Sequence, residues 1–272
     1  MRITASFVAV LALINPSISI AQDCSSYLGQ VISPMQFEQA ANSMPKIEPK
    51  GEFETSADYN ARISAASNTS SQTIFISKSP GNQDYIQYDA DNQRFAIMSQ
   101  AFTFWNLYAW EVFSGTPYGT ILNASTFTNI EVGLEEEDTA KGTYVATNSF
   151  GSRTVVTKID RQISGIFERP TDYSKGETLF SGLFPNADQN THIVGHISIP
   201  PELARDAKAG FRLAFGITPR FPYVVRNTSK GSEPTIDNPT DVTKHTTIII
   251  ADIKCGIVMD RTNKVLGSYP TR

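Results

Sequence analysis

The pattern of hydrophobic and polar residues changes its period near residue 72 of this 272-residue chain. Before that point, two stretches carry helical signals. A Ser-Pro pair beginning at Ser33 is typical of a helix start and predicts a helix to about Asn42. Thr55 is a good helix cap, and Tyr59 and Ile63 behind it are spaced to share one helical face. The first part of the chain therefore contains two predicted helices.

From residue 73 onward, apolar residues alternate with polar ones, which is typical of half-buried strands. A short helix is predicted at residues 201–209, between a proline and a glycine. The acidic stretch 133–142 and the polar, proline-containing stretch 219–244 are interpreted as connections. The predicted strands are residues 73–78, 85–88, 93–99, 143–148, 154–159, 163–167, 192–199, 211–218, 246–253 and 256–260.

Together these elements predict an α+β fold: a β-rich domain of antiparallel strands, with two N-terminal helices and one short inserted helix. We divide the chain into a signal peptide at residues 1–21, a helical lead-in and linker at 22–72, and a β-rich domain at 73–272. Residues 101–113 fit either a strand or a buried helix, because their many aromatic residues follow no single period.

The first 21 residues have the three regions of a secretory signal peptide. Arg2 supplies the positive charge, residues 7–14 are apolar, and residues 17–21 end in small side chains. No later apolar run is long enough to cross a membrane, so we expect no transmembrane segment after the signal is cleaved. The sequence thus predicts a periplasmic or secreted protein.

The chain has two cysteines, Cys24 and Cys255. In an oxidising compartment such a pair predicts one disulfide. Lipidation of Cys24 is a second interpretation, although Asp23 stands where a lipoprotein signal has a small residue. Two free buried thiols are the third.

The net charge of the chain is −4, and the predicted leader contributes only Arg2 to it. A mildly acidic chain is not typical of nucleic-acid-binding proteins, which cluster Lys and Arg against phosphates. The same balance argues against attachment to an anionic membrane surface. We therefore expect no nucleic acid as a partner, which leaves an unknown envelope protein, a glycan or a small ligand.

Four short phrases are distributed over most of the chain after the leader: KGEFET at residues 50–55, YDAD at 88–91, NSFG at 148–151, and PTID followed by PTD at 234–241. With these phrases in this order, the chain resembles a group of uncharacterised secreted bacterial proteins. The resemblance implies a location in the bacterial envelope. It carries no known activity, substrate or site, so no functional residue is transferred from it.

The first of these phrases is interpreted as a docked helix start. In that arrangement Phe53 packs against the fold and Arg62 pairs with a carboxylate. Such contacts are structural, so neither residue is assigned a role in function.

Three histidines, His192, His196 and His245, are the only histidines of the chain. His192 and His196 have a spacing that zinc-binding helices use, but their β-branched neighbours predict a strand, on which four residues span roughly 13 Å. We therefore predict no metal site and no cofactor. A periplasmic hydrolase with a dispersed site, formed from these histidines and nearby acids, is the alternative function.

The most unusual composition lies in residues 101–113, where aromatic side chains are dense. Such side chains can fill a core, but Trp and Tyr also anchor ligands and partners when they are exposed. We single out Trp105, Tyr108 and Trp110 as candidate ligand- or partner-binding residues. The sequence thus predicts an exported protein that acts as a non-enzymatic binding or interaction module.

Overall fold

The computed structural model describes residues 24–69, 72–78, 83–102, 107–108, 112–113, 116, 129–130, 132–168, 183–188 and 190–271. The predicted signal peptide at residues 1–21 lies outside these residues and stays a prediction. Within the described residues, no helix is both long and apolar enough to cross a membrane.

The described residues form a β-rich α+β fold, which confirms the predicted fold class. The helices are α1 (Phe37–Ser43), α2 (Ser56–Thr69) and α3 (Pro201–Gly210). The strands are β1 (Ile74–Lys78), β2 (Ile86–Asp89), β3 (Arg94–Met98), β4 (Leu107–Tyr108), β5 (Asn129–Ile130), β6 (Val132–Thr147), β7 (Arg153–Phe167), β8 (Ile193–Ser198), β9 (Arg212–Lys230), β10 (Thr240–Met259) and β11 (Val265–Pro270).

Helix α1 begins at Phe37 and not at Ser33, the predicted helix start. The residues before it run extended beside β1, because the Met35 N–H donates to the Phe75 carbonyl at 2.9 Å and the Ser77 N–H donates to the Met35 carbonyl at 2.8 Å. Once these backbone groups are paired with a strand, they cannot form a helical turn. Pairing with a distant strand therefore overrides the local helix signal.

The main sheet has the strand order β1-β9-β10-β7-β6, and β11 pairs with the second part of β10. Strand β10 is antiparallel to β9 and β11 but parallel to β7. The sheet is therefore mixed, and the prediction of antiparallel strands needs this correction. A parallel pair requires a crossover connection, and here the chain between β7 and β10 passes through β8, α3 and β9.

Two stretches that the sequence predicts to be connections are largely strands. Residues 133–142 lie within β6, and most of residues 219–244 belong to β9 and β10. Charged residues of β6 pair in register with β7, so that Asp138 stands opposite Arg161. Because this part of the sheet is polar on both faces, its sequence lacks the hydrophobic alternation that identifies a strand.

A second sheet of order β2-β3-β8 packs against the main sheet. The largest hydrophobic cluster, here called the main core, contains Phe95 of β3, Phe102, Phe215 of β9 and Ile253 of β10, all fully buried. Helix α1 contributes Phe37 to the same cluster. The described part of the helical lead-in therefore shares its core with the sheet.

The opposite face of the main sheet is covered by the N-terminal segment. Cys24 and Cys255 form a disulfide with a Cα–Cα distance of 6.0 Å, which confirms the predicted pairing. The Ser268 hydroxyl donates to the Cys24 carbonyl at 2.7 Å, and the Gly29 N–H donates to the Val265 carbonyl at 2.9 Å. The disulfide and these hydrogen bonds fasten the start of the described chain to β10 and β11.

The ring of Tyr269 on β11 lies in the main core, between two glycines. A Cβ atom at Gly195 of β8 or at Gly267 of β11 would overlap this ring. The side chain is buried, and its hydroxyl has no hydrogen-bond partner among the described residues. Burial raises the pKa of Tyr269, because the phenolate would lose its hydration.

Candidate ligand-binding cleft

The main sheet has two parts that differ in how well they are covered. We call residues 240–247 of β10, with the residues beside them and the β6–β7 hairpin, the distal half. Residues 248–259 and their neighbours form the proximal half. In a strand, successive side chains point to opposite faces. Lys244 and its register partner Arg161 share one face of the distal half, the cleft face, while His245 and its partner Thr228 share the other, the histidine face.

A cleft of about 580 Å³ lies on the cleft face. One wall is the sheet itself, and the other is the loop between β9 and β10. The residues that line it are Arg161, Gly231, Ser232, Asn238, Thr240, Val242 and Lys244. Its volume falls within the range of small-molecule sites, roughly 300–1,000 Å³.

The loop that forms the second wall is held by its own hydrogen bonds. The Gly231 N–H donates to the Val242 carbonyl at 2.7 Å, and the Thr235 N–H donates to the Asn238 carbonyl at 2.9 Å. The Asn238 N–H in turn donates to the Thr235 hydroxyl at 3.0 Å. The wall is therefore held by backbone groups and the Thr235 hydroxyl, while Ser232 and Asn238 line the cleft.

Arg161 is fixed by two carboxylates of β6. Its Nε and one terminal nitrogen donate to the two Asp138 oxygens at 2.7 and 2.8 Å. Its other terminal nitrogen lies 2.9 Å from Glu136 Oε1. The guanidinium holds the pKa of Asp138 below its ordinary value, since a hydrogen-bonded opposite charge favours the carboxylate, and Asp138 raises the pKa of Arg161.

These contacts orient the guanidinium without using all of its donors, because arginine carries five N–H groups. Lys244 stands beside Arg161 on the neighbouring parallel strand and adds a second cation to the cleft. Ser232, Asn238 and Thr240 supply hydroxyl and amide groups, and Val242 supplies a small apolar surface. The arrangement can bind a ligand that has both an acidic group and several hydroxyl groups.

The histidine face carries a line of three polar side chains across three strands. The Thr228 Oγ1 and His245 Nδ1 atoms are 3.2 Å apart. His245 Nε2 lies 3.8 Å from Asp160 Oδ1, which is an ion-pair distance but too long for a hydrogen bond. Asp160 also lies 3.7 Å from the ammonium of Lys141. Of the three histidines, His245 is the one that the sheet brings to both a hydroxyl and a carboxylate.

The other two histidines lie elsewhere. His192 is in the turn before β8, where its N–H donates to the Asp188 carbonyl at 2.8 Å. His196 is on β8 beside Ala96 of β3, and burial lowers its pKa. In the part of the chain that the structure describes, no group of three His, Cys, Asp or Glu side chains is arranged to hold a metal ion.

The side chains of the three aromatic candidates lie outside the part of the chain that the structure describes. Trp105 and Trp110 lie outside the described residues, and for Tyr108 only the backbone in β4 is described. Their role in binding therefore stays a prediction. Phe102 and Phe113, which lie at either end of this aromatic stretch, are fully buried and belong to hydrophobic clusters.

The interpretation of the KGEFET phrase is half correct. Arg62 does pair with a carboxylate, because its Nε and a terminal nitrogen donate to Glu54 at 3.0 and 2.8 Å. Phe53, however, is 94 % exposed and does not pack against the fold. The turn of the phrase is closed by Glu54, which accepts from the Gly51 N–H at 3.1 Å, so Phe53 is not needed to hold it.

Neither Arg161 nor Lys244 is a candidate from the sequence alone. Lys244 falls in a stretch that was interpreted as a loop, and Arg161 belongs to no motif. The signal that identifies Arg161 is charge complementarity, since Asp138 of the acidic stretch stands opposite it across an antiparallel pair and Glu136 lies within ion-pair distance.

Comparison of the chain with protein-family models, with curated proteins and with solved structures finds no match. The function is therefore argued from the cleft and its surroundings.

Proposed function

We propose that the protein is an exported, non-enzymatic binding module that holds a small, anionic, hydroxyl-rich ligand in the cleft of the distal half. An acidic sugar is the simplest molecule with this chemistry. The predicted signal peptide and the resemblance to secreted bacterial proteins support export to the envelope. The disulfide also supports it, because disulfides persist in oxidising compartments.

The observation that carries the proposal is the fixed Arg161 beside Lys244. A guanidinium held by two carboxylates loses little further freedom when it binds an anion, and preorganisation of this kind favours affinity. The two acids offset the charge of Arg161, so the cleft is not a general anion trap. Lys244 adds a second positive charge beside Arg161 for one acidic group, while the hydroxyl and amide side chains bind the rest of the ligand.

Calorimetric titration with glucuronate tests this proposal, with glucose as the neutral probe. We expect glucuronate to bind and glucose to bind more weakly or not at all. Lys244→Met should weaken glucuronate binding about tenfold, the typical effect of one charged hydrogen bond. Lys230→Met is the matched control, because Lys230 is on the adjacent strand and well exposed but does not line the cleft. Equal effects of the two variants, or no binding of glucuronate, would contradict the proposal.

A hydrolase is the second candidate, and the line Thr228–His245–Asp160 favours it. If His245 Nδ1 accepts from the Thr228 hydroxyl, the imidazole can draw off the hydroxyl proton, and Asp160 stabilises the resulting imidazolium. Thr228 is exposed, the side chains of His245 and Asp160 are 35 % and 32 % exposed, and the carboxylate lies beyond hydrogen-bond distance from the imidazole. The geometry for catalysis is therefore weaker than the geometry for binding.

Hydrolysis of p-nitrophenyl acetate separates the two candidates. If Thr228, His245 and Asp160 form a catalytic site, His245→Gln should abolish turnover above background, while His196→Gln on β8 should leave turnover unchanged. Turnover equal to that of the His245→Gln variant would exclude this site as a hydrolase. Binding of glucuronate without ester hydrolysis is the result that we expect.

A further inference from the structure

The β6–β7 hairpin ends in an exposed apolar tip. Phe150 in the turn is 92 % exposed, and Val145 and Val155 on the two strands are 63 % and 59 % exposed. The two valines stand directly opposite each other, so they form one apolar pair beside the turn. Val156, the next residue of β7, is fully buried. The exposed apolar surface is therefore confined to the turn and one face of the hairpin.

The turn holds Phe150 in this exposed position. The Asn148 side-chain oxygen accepts from the Phe150 N–H at 3.0 Å and from the Ser152 N–H at 2.9 Å. Gly151 has a φ of +84°, which a residue with a side chain rarely adopts, and its N–H donates to the Asn148 carbonyl at 3.0 Å. The ring is thus presented to solvent by an ordered turn that its own side chain does not stabilise.

The hairpin also differs from the rest of the chain in charge. Residues 139–159 contain Lys141, Arg153 and Lys158 and no acidic residue, although the whole chain has a net charge of −4. Lys141 pairs with Asp160, and the Lys158 ammonium lies 5.2 Å from the centre of the Tyr144 ring. Arg153 is exposed and follows Phe150 by three residues. The negative net charge of the whole chain therefore does not describe this segment, which is locally basic.

A second loop presents an apolar side chain at the same end of the sheet. Strands β7 and β10 are parallel, and Thr240 at the start of β10 pairs with Thr157 near the start of β7. The hairpin turn and the loop that precedes β10 therefore emerge from the same end. Ile236 in that loop is 56 % exposed. Two loops thus present apolar side chains at one end of the molecule.

An exposed aromatic ring next to a basic side chain is the combination that binds the interface of an anionic bilayer, with the ring among the headgroups and the cation near the phosphates. We infer that the distal end docks on an anionic phospholipid surface, with Phe150 inserted at the interface and Arg153 beside the lipid phosphates. The anchoring is reversible, because one ring and one exposed cation supply only modest affinity. This inference does not depend on the ligand in the cleft.

Sedimentation of the full exported chain with vesicles tests the inference. We expect binding to vesicles of equal parts phosphatidylglycerol and phosphatidylcholine, and little binding to phosphatidylcholine alone. Phe150→Ser should lower the partition coefficient about tenfold, as expected for loss of a buried aromatic ring. Arg153→Ser should lower it about fivefold, the effect of one cation near the surface, and added salt should weaken the wild-type binding.

The matched control for the aromatic ring is Phe53→Ser, because Phe53 is 94 % exposed but lies next to α2. Arg205→Ser on α3 is the control for the cation. Both controls should bind vesicles like the wild type. Absence of vesicle binding, or equal losses from Phe150→Ser and Phe53→Ser, would overturn the inference and leave the tip as a surface for a protein partner. Lys244→Met should leave vesicle binding unchanged, so failure here and failure of the cleft proposal are distinguishable.

Discussion

Strand β10 runs through two different environments: its second part is packed among hydrophobic clusters, and its first part lines the cleft that we propose as a binding site. In its first eight residues, only Val242 and Thr246 are buried, whereas ten of its last twelve residues are buried. The proximal residues contact the main core on one face and, on the other, the cluster around the disulfide that includes Ile257 and Met259. The distal residues line a cleft on one face and a polar surface on the other.

This difference assigns different tasks to the two halves. Apolar burial is the largest favourable contribution to folding, so the proximal half determines the stability of the fold. The distal half needs only enough packing to keep its strands paired, which leaves its side chains available for a ligand or a surface. Substitutions in the two halves should therefore have opposite profiles, with loss of stability in one and loss of binding in the other.

The largest expected effect comes from a matched pair of Phe→Ala substitutions. Phe215→Ala in the proximal half removes a fully buried ring that lies 5.8 Å from the ring of Phe102. We expect the free energy of unfolding to fall by about 3–5 kcal/mol in urea denaturation, the usual cost of such a cavity. Phe150→Ala at the distal tip should change it by less than about 0.5 kcal/mol. Similar losses from both variants would show that the two halves do not differ as described.

Removal of the Cys24–Cys255 disulfide should give the second-largest loss of stability. Replacing both Cys24 and Cys255 with Ser opens a link between positions 231 residues apart, and such a loss typically costs about 2–4 kcal/mol. Urea denaturation with and without a reducing agent measures it. The wild type should become less stable on reduction, while the double variant should not respond. An equally stable reduced wild type would mean that the hydrogen bonds to β11 hold the N-terminal segment alone.

The same contrast explains which features could be predicted from the sequence. The predicted strands at residues 246–253 and 256–260, which lie mostly in the proximal half, overlap the single strand β10, because burial leaves a nearly continuous apolar pattern there. The two cysteines sufficed to predict their pairing. In the distal half, residues 133–142 of β6 and the end of β9 are predicted as connections, because strands with two solvated faces show neither alternation nor apolar runs.

The cleft could not be predicted for a different reason. It depends on Arg161 and Lys244 standing side by side, and that follows from the parallel pairing of β7 with β10. Such a pairing joins distant parts of the chain and leaves no local signature. The sequence does predict strands at residues 143–148 and 154–159 on either side of Phe150, but the position of this exposed ring beside the loop before β10 follows only from the strand order. Trp105 and Trp110 stay candidates from composition alone.

A smaller effect concerns the buried hydroxyl of Tyr269 in the proximal half. Among the described residues it has no hydrogen-bond partner, so Tyr269→Phe should leave stability unchanged or raise it by about 1 kcal/mol. Tyr88→Phe is the comparison, because the Tyr88 hydroxyl donates to the Ile199 carbonyl at 2.8 Å, and its removal should lower stability. Thermal unfolding of both variants measures the difference. A destabilised Tyr269→Phe protein would reveal a partner for this hydroxyl.

The smallest effect is the pH dependence of the distal half. Arg161 holds the pKa of Asp138 below its ordinary value in the folded protein. A carboxylate with a lowered folded pKa contributes stability above its unfolded pKa, about 3.9, and loses that contribution as the pH falls through the folded value. Since the pair is partly exposed, we expect less than about 1 kcal/mol. Asp138→Asn should therefore be slightly less stable than the wild type near pH 7.

A series of stability measurements at different pH values also distinguishes the Asp138–Arg161 ion pair from packing contacts of the Asp138 side chain. If the ion pair is responsible, the difference between the wild type and Asp138→Asn should shrink as the pH falls from about 4 through the lower folded pKa of Asp138, where the wild-type carboxylate takes up its proton. Amide hydrogen exchange in β6 and β7 reports this difference locally, without the large signal of the proximal core. A difference that persists unchanged in acid would mean that Asp138 contributes through packing. Arg161 would then owe its orientation to Glu136, which lies 2.9 Å away on the same face.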